Sequence, residues 1–365
     1  MTQRILQIIP TLDRSGAEKQ LVLLAAGLPR DEFDVHVCAI TRGGPLAADL
    51  AEAGIPYTVI GKRWKLDART LWELRRHVQR LRPAVIHSWM FAANAYGQAA
   101  GMACGVPHLV AGYRCLDPWK SATQFAVDRS IARRCSRLVA NSPGVRDFYV
   151  RHGLPAEKFR VIANGVPAAG PSASTRGQML AELGLPEQSR LIGLVGRLWP
   201  QKRIKDAIWS ADLLKVIRDD VHLLIIGDGP HRRRLLRFRR QVVIGDRVHF
   251  LGHRSDVPRI MPHFDVLWST SAYEGQSNAV MEAMAAGVPV VATDVPGTRD
   301  LVAADQTGYL VPVGDRARIA RCTNKLLNDP ALAAEFGRAG RRRMLEHFSV
   351  QAMIEAHAAM YRELL

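Results

Sequence analysis

The sequence predicts an α/β protein built from two doubly wound, parallel-sheet domains, and three observations carry that prediction. Short apolar strands alternate with helices along nearly the whole chain. The alternation is interrupted once, by a stretch rich in Pro, Gly, Ser and Ala. The length, 365 residues, exceeds what a single core commonly serves.

Taken in order, Arg4 to Ile9 reads as the first strand, and the turn T-L-D-R-S-G-A-E leads into a helix from about Gly16 to Leu28. A Gly-bearing turn that opens a helix presents unpaired backbone N–H groups to an anion. There follow strand Asp34 to Ile40, helix Leu46 to Ala53, strand Tyr57 to Ile60, helix Ala68 to Leu81, strand Ala84 to Trp89, helix Phe91 to Cys104 and strand His108 to Tyr113. A helix near Thr123 to Arg134, strand Arg137 to Asn141, helix Gly144 to Arg151 and strand Phe159 to Ala163 complete the first run. Sustained βα alternation implies a parallel sheet with helices on both faces and ligands beyond the carboxyl ends of its strands.

The first domain is expected over 1–168 and the connection over 169–189, with a short helix at about Gln178 to Leu183. The second domain is expected over 190–345, with strands Leu191 to Gly196, His222 to Ile226, Val248 to Leu251, Asp265 to Thr270, Val288 to Thr293 and Tyr309 to Val311. The last helices, about Arg316 to Leu327, Pro330 to Glu346 and Val350 to Leu365, have no strands left to serve, and 346–365 is expected to pack back on the first domain.

Within the second run, Ser269 to Thr293 compresses a strand end, a polar turn, a helix and another strand into one βαβ unit. A helix starting near Ser277 or Asn278 aims its first N–H groups across the turn and favours an anion such as a phosphate. Glu282 shares a helix face with Asn278, and Glu274 sits at the helix mouth. Acidic residues near helix starts are also common solvated features. G-R-L-W-P-Q-K-R puts Arg197 and Lys202 on the loop beyond a strand end, where two cations suit a diphosphate whose oxygens gain charge as it leaves. I-I-G-D-G-P is a tight turn whose glycines are expected to leave room for a ligand, and F-L-G-H-R-S-D-V gives another strand-end turn.

Composition narrows the function classes. Hydrophobic residues make up 48% and charged residues 23%, ordinary values for a soluble globular chain, and no apolar run of about 18 residues is free of charge and proline. The start M-T-Q-R-I-L-Q-I-I-P enters a strand without the features of a signal peptide, so a cytoplasmic protein is expected. The five cysteines lack C-x-x-C spacing, which indicates buried thiols rather than a zinc site or disulfides. A net charge of +16 asks for a polyanionic partner: nucleic acid, acidic lipid headgroups or a phosphorylated substrate.

These pieces together resemble family 4 of the retaining glycosyltransferases, the glycosyl transferases group 1. The matching residues are S-G-A-E at Ser15 to Glu18, A-N-S-P at Ala140 to Pro143, I-A-N-G-V at Ile162 to Val166, Gly196 to Arg203, Ile226 to Pro230, and the run from Glu274, with two glutamates separated by seven residues. The resemblance implies the GT-B fold, two facing Rossmann-like domains with the active site in the cleft between them. The first would bind the acceptor and the second a nucleotide-diphosphate sugar, with transfer of the sugar to a hydroxyl and no cofactor or metal. By the same resemblance Arg197 and Lys202 hold the donor diphosphate, Glu282 binds the ribose and Glu274 faces the donor sugar. Gly275, Gln276, Ser277 and Asn278 offer amides to sugar and phosphate, and Gly16 approaches the phosphate from the other domain.

The chain departs from the family pattern at A-G-Y-R-C-L-D, where Arg114 stands near the position of a histidine common among relatives, so no catalytic histidine is carried over. N-G-V-P at Asn164 to Pro167 replaces N-G-[IV]-D. Acceptor contacts are expected from the first domain: His87 at a strand end, Arg114, and Trp64 within Gly61-Lys62-Arg63-Trp64-Lys65. That basic and aromatic loop suits an anionic membrane surface or a lipid-linked acceptor, which implies a peripheral enzyme of cell-surface polysaccharide or glycolipid assembly on the inner face of the cell membrane. A sugar-nucleotide epimerase of the same fold is the nearest alternative. A glycoside hydrolase has no use for a diphosphate cradle, and a basic nucleic-acid binder lacks a recognisable module here, so no nucleic acid is expected as partner.

Overall fold

The computed structural model describes residues 2–64, 66–170 and 174–365. They form two compact units, one of Met1–Gly165 with Val350–Leu365 and one of Val166–Ser349.

In the first unit the elements run β1 (Gln3–Thr11), α1 (Gly16–Gly27), β2 (Phe33–Arg42), α2 (Leu46–Glu52), β3 (Tyr57–Val59), α3 (Ala68–Leu81), β4 (Val85–Trp89) and α4 (Met90–Ala103). They continue with β5 (His108–Tyr113), α5 (Ala122–Arg134), β6 (Arg137–Ala140), α6 (Pro143–Arg151) and β7 (Phe159–Val161). The sheet is wholly parallel in the order β3-β2-β1-β4-β5-β6-β7. Its central strands are buried on both faces because helices cover both: every residue of β4 is buried.

The second unit holds α7 (Arg176–Glu182), β8 (Arg190–Val195), α8 (Ile204–Lys215), β9 (Val221–Ile226), α9 (Arg232–Gln241), β10 (Val248–Gly252) and α10 (Val257–Ile260). After these come β11 (Val266–Ser269), α11 (Asn278–Ala285), β12 (Val290–Thr293), α12 (Pro296–Arg299), β13 (Gly308–Val311), α13 (Arg316–Asn328) and α14 (Pro330–His347). The order is β10-β9-β8-β11-β12-β13, again all parallel. β12 begins later than the apolar pattern suggests, because Pro289 has no N–H to give the ladder and enters only through its carbonyl, which accepts from Leu267. β11 begins after Asp265, whose carboxylate is engaged by Arg176 at 2.6 Å and by Arg190 at 3.1 Å.

The final helix, α15 (Val350–Leu364), belongs to the first unit and lies against α1. Met353, Ile354, Ala358, Met360 and Tyr361 on its inner side join the core that contains Ile5, Leu21, Leu24 and Trp89. The Tyr361 hydroxyl accepts from Gln7 Nε2 at 2.8 Å and lies 2.7 Å from His87 Nδ1. Close approach is secured at Gly165, where a Cβ would come within 2.7 Å of the Val350 backbone. Among the described residues no helix is long and apolar enough to cross a membrane.

Candidate active site

Strand order in the second unit reverses between β8 and β11: the chain leaves β8 toward β9 on one side and leaves β11 toward β12 on the other. Loops that leave adjacent strands in opposite directions open a crevice at the carboxyl edge of the sheet, which is where open α/β sheets bind ligands. The loop after β8 carries Arg197 and Lys202, and the loop after β11 carries Glu274. Topology alone therefore brings the three to one edge.

The two loops are stitched together. Ala272 N–H donates to the Gln201 carbonyl at 2.8 Å, Gln201 Nε2 donates to the Tyr273 carbonyl at 2.7 Å, and Thr270 Oγ1 donates to the Lys202 carbonyl at 2.7 Å. Thr293 Oγ1, at the end of β12, donates to the Ser271 carbonyl at 2.6 Å. Lys202 Nζ then lies 2.5 Å from Glu274 Oε1, and Ser271 Oγ donates to the same oxygen at 2.6 Å. Glu274 is buried and Lys202 about four-fifths buried, so this ion pair is only partly screened by water. Arg197 is exposed on the same loop, its guanidinium 4.8 Å from the ring centre of Trp199, and it makes no ion pair among the described residues.

Gly275, Gln276 and Ser277 are buried between Glu274 and the start of α11. Ser277 occupies the N-cap without a side-chain bond to the helix, so its hydroxyl does not cap the first-turn N–H groups. Asn278 opens the helix, and Glu282, half-buried, stands one turn further along. Gly297 fixes the position of the turn: a Cβ there would fall 1.7 Å from the Gly275 carbonyl oxygen, so α12 can back the Glu274 loop only without a side chain.

The glycines of I-I-G-D-G-P serve packing rather than an open approach to ligand, which corrects the expectation. A Cβ at Gly227 would lie 2.1 Å from the Gly196 carbonyl oxygen, and one at Gly229 2.6 Å from that of Leu198. The turn supports the Arg197 loop from behind. Ser271, Gln201 and Gly297 were not singled out by sequence; their only signal is proximity to a motif residue in the chain or, for Gly297, a Pro-Gly pair at a strand end.

In the first unit, Gly16 is the exposed first residue of α1. Glu18 folds back on this turn, accepting from the Ser15 hydroxyl and from Thr11 Oγ1, and burial raises its pKa despite those bonds. His87 is not on a rim. It is fully buried, stacked on Trp89 and His357, with Nδ1 at Tyr361, because β4 runs through the centre of the sheet and α15 covers its end. Arg114 is also buried: it stacks on Trp89 at 4.4 Å and donates to Asn164 Oδ1 at 2.6 Å, so neither side chain is available to an acceptor in this structure. Burial lowers the pKa of Arg114 to about 9. Trp64 is 72% exposed and Leu66 92% exposed, while Lys65 lies outside the described residues. No group of three or more His, Cys, Asp or Glu able to hold a metal ion occurs among the described residues.

Comparison with known proteins identifies the family. A family model described as glycosyltransferase family 4 matches residues 14–169, and one described as glycosyl transferases group 1 matches residues 176–343. The chain is 30% identical over 314 residues to alpha-maltose-1-phosphate synthase of Mycolicibacterium smegmatis, covering 76% of this chain and 79% of that one. It is 25% identical over 345 residues to UDP-Gal:alpha-D-GlcNAc-diphosphoundecaprenol alpha-1,3-galactosyltransferase of Escherichia coli, covering 89% and 88%. Among solved structures, Anabaena HepE in complex with UDP and glucose superposes with a TM-score of 0.90 at 24% identity, over 99% of this chain and 100% of that one.

Proposed function

The chain belongs to the group 1 glycosyl transferases of family 4, with the two-domain α/β GT-B fold, and is a glycosyltransferase that uses a nucleotide-sugar donor; from that premise we propose that it is a retaining enzyme of cell-surface polysaccharide or glycolipid assembly. The observation that carries the reading is the Lys202–Glu274 pair at the mouth of α11. In the proposed reaction the donor diphosphate takes Lys202 over from Glu274. Arg197, which has no carboxylate to give up among the described residues, and the first-turn amides of α11 meet the remaining phosphate oxygens. Glu282 binds the ribose, and Glu274 is freed to accept from donor-sugar hydroxyls.

Negative charge accumulates on the leaving diphosphate as the glycosidic bond breaks, and cations fixed in place before the reaction stabilise it without reorganisation. Two cations and a helix tip supply that stabilisation here, so the proposal requires no metal. Retention follows if the departing phosphate assists deprotonation of the acceptor hydroxyl on the face it leaves. NMR of the product tests this: the anomeric configuration of the donor should persist, and inversion would overturn it. Chelation with excess EDTA should leave the rate unchanged.

A lipid-linked acceptor is supported by the name of the Escherichia coli relative, which acts on a diphosphoundecaprenol substrate, and by the surface near Trp64. Leu66 and Trp64 project beside Lys62 and Arg63, and on α3 Arg76 lies 4.7 Å from the ring of a half-exposed Trp72. Apolar side chains flanked by cations suit the headgroup region of an anionic membrane. Flotation with anionic liposomes at low salt should carry the protein upward. Reversing the charge of Lys62, Arg63 and Lys65 should release it and lower turnover of a lipid acceptor; unaltered flotation and turnover would remove membrane contact from the reading.

A further inference from the structure

The 196–203 loop is a partition. On one side it presents Lys202 to Glu274, which also accepts from Ser271; on the other, Trp199, Pro200 and Arg203 line a separate cavity of about 430 Å³ that is bordered by α8, α9 and the start of α13 and open to water. Right-handed crossovers that run in opposite directions from β8 and β11 put α8 and α9 on one face of the sheet and α11 on the other. The cavity is therefore distinct from the donor cradle.

Its lining is aromatic and cationic at once. Trp199 and Trp209 are 42% and 37% exposed, Phe238 meets Trp209 edge-on with ring centres 5.8 Å apart, and His231 lies 6.2 Å from Trp199. Lys205 Nζ stands 4.6 Å from the Phe238 ring centre, and Arg316 lies 5.9 Å from that of Trp209. One carboxylate serves this group of cations: Asp206 accepts from Arg203 at 2.5 Å and from Arg316 at 2.9 Å. Arg234 makes no ion pair among the described residues, and Lys205 has only the ring. The cavity thus carries a positive excess beside flat apolar faces left open to water.

We propose that this cavity is a second saccharide site, one that takes an acidic sugar unit bearing a carboxylate. The C–H face of a pyranose ring buries apolar area against an indole, and a guanidinium binds a carboxylate in bidentate fashion. A neutral sugar would use the rings but leave Arg234 and Lys205 unanswered. The volume lies toward the small end of ligand pockets and is of the order of one or two sugar rings. In a glycosyltransferase such a site would hold part of an acidic glycan on the nucleotide-binding unit while the reaction proceeds elsewhere.

The test is a titration of the full chain with oligogalacturonates of two to four residues, and with maltooligosaccharides of equal length. It is read by tryptophan fluorescence and calorimetry. Saturable binding of the acidic series that weakens with added salt, with none from the neutral series, is expected. Trp209→Ala and Arg234→Glu should each weaken that binding by about tenfold or more, Trp209→Phe should restore part of it, and thermal stabilisation by the nucleotide-sugar donor should stay at its original value. Absence of saturable binding, equal affinity for neutral oligosaccharides, indifference to Arg234→Glu, or binding of adenosine monophosphate in place of the acidic sugar would each overturn the proposal. If Trp209→Ala fails to fold, Arg234→Glu, on an exposed side chain, still decides it. Loss of donor stabilisation in the unaltered protein would instead count against the proposed function.

Discussion

Lys202 and Glu274 hold each other in the structure, and substitutions separate holding from catalysis. Lys202→Ala removes the cation from a buried carboxylate that still accepts from Ser271 and has a long contact from Gln201, so a loss of about 2 kcal/mol in stability is expected along with the loss of activity. Arg197 is exposed and makes no ion pair among the described residues, so Arg197→Ala should leave the melting temperature in place while kcat/KM falls by roughly 100-fold to 1,000-fold. Steady-state kinetics beside circular dichroism melts distinguishes the two. The buried histidines give a pH prediction. Burial lowers His357 to about 3 and pushes His87 well below its ordinary value of 6.5, with the charges of neighbouring His357 and Arg114 adding to the effect on His87. Between about 3 and 6.5 the unfolded chain binds more protons at His357 than the folded one. The stability these neutral rings contribute is therefore fully present above pH 6.5 and is lost as pH falls below it. Urea midpoints measured from pH 7.5 down to 4.5 should decline on the acid side, and His357→Phe should flatten that decline.

At the level of elements, two pieces of backbone decide whether the site forms. α12 contributes no side chain to the cradle, yet Gly297→Ala would drive a methyl group into the Gly275 carbonyl, and the loop that carries Glu274 would have to move. A destabilisation of about 1–3 kcal/mol and a raised donor KM are expected, measured by thermal melt and donor titration. α15 is the other piece. Tyr361→Phe removes one hydroxyl and strands two buried partners, Gln7 and His87, at a cost of about 1–3 kcal/mol. Deleting 350–365 should expose the apolar surface around Leu24 and Trp89 and leave the first unit unable to fold, seen as loss of soluble protein.

For the whole molecule, a screen of UDP-, GDP- and ADP-sugars by thermal stabilisation should identify one base, since ligand at 100-fold over its Kd adds about 2.7 kcal/mol. Much of this protein was legible in one dimension. Strand and helix period, the Gly-rich turns, and the spacing of Glu274 and Glu282 are local properties, so strands such as β9 and helices such as α13 lie within a residue or two of where the pattern puts them. The strand ends that carry Arg197, Lys202 and Glu274 could be placed on one edge because parallel βα units leave few topologies. What no local pattern contains is which side of a strand end is covered by chain from far away. His87 and Arg114 read as strand-end residues open to a ligand, and both are buried, because a helix more than 200 residues later closes over His87 and Asn164 pairs with Arg114. The glycines of the Ile226 to Pro230 turn read as room for a ligand, and that room is filled by the neighbouring loop's carbonyls. Sequence determined the period, the elements and the chemistry available at the edge of each sheet. Burial, being set by contacts between segments remote in the chain, was decided only when the tertiary structure closed.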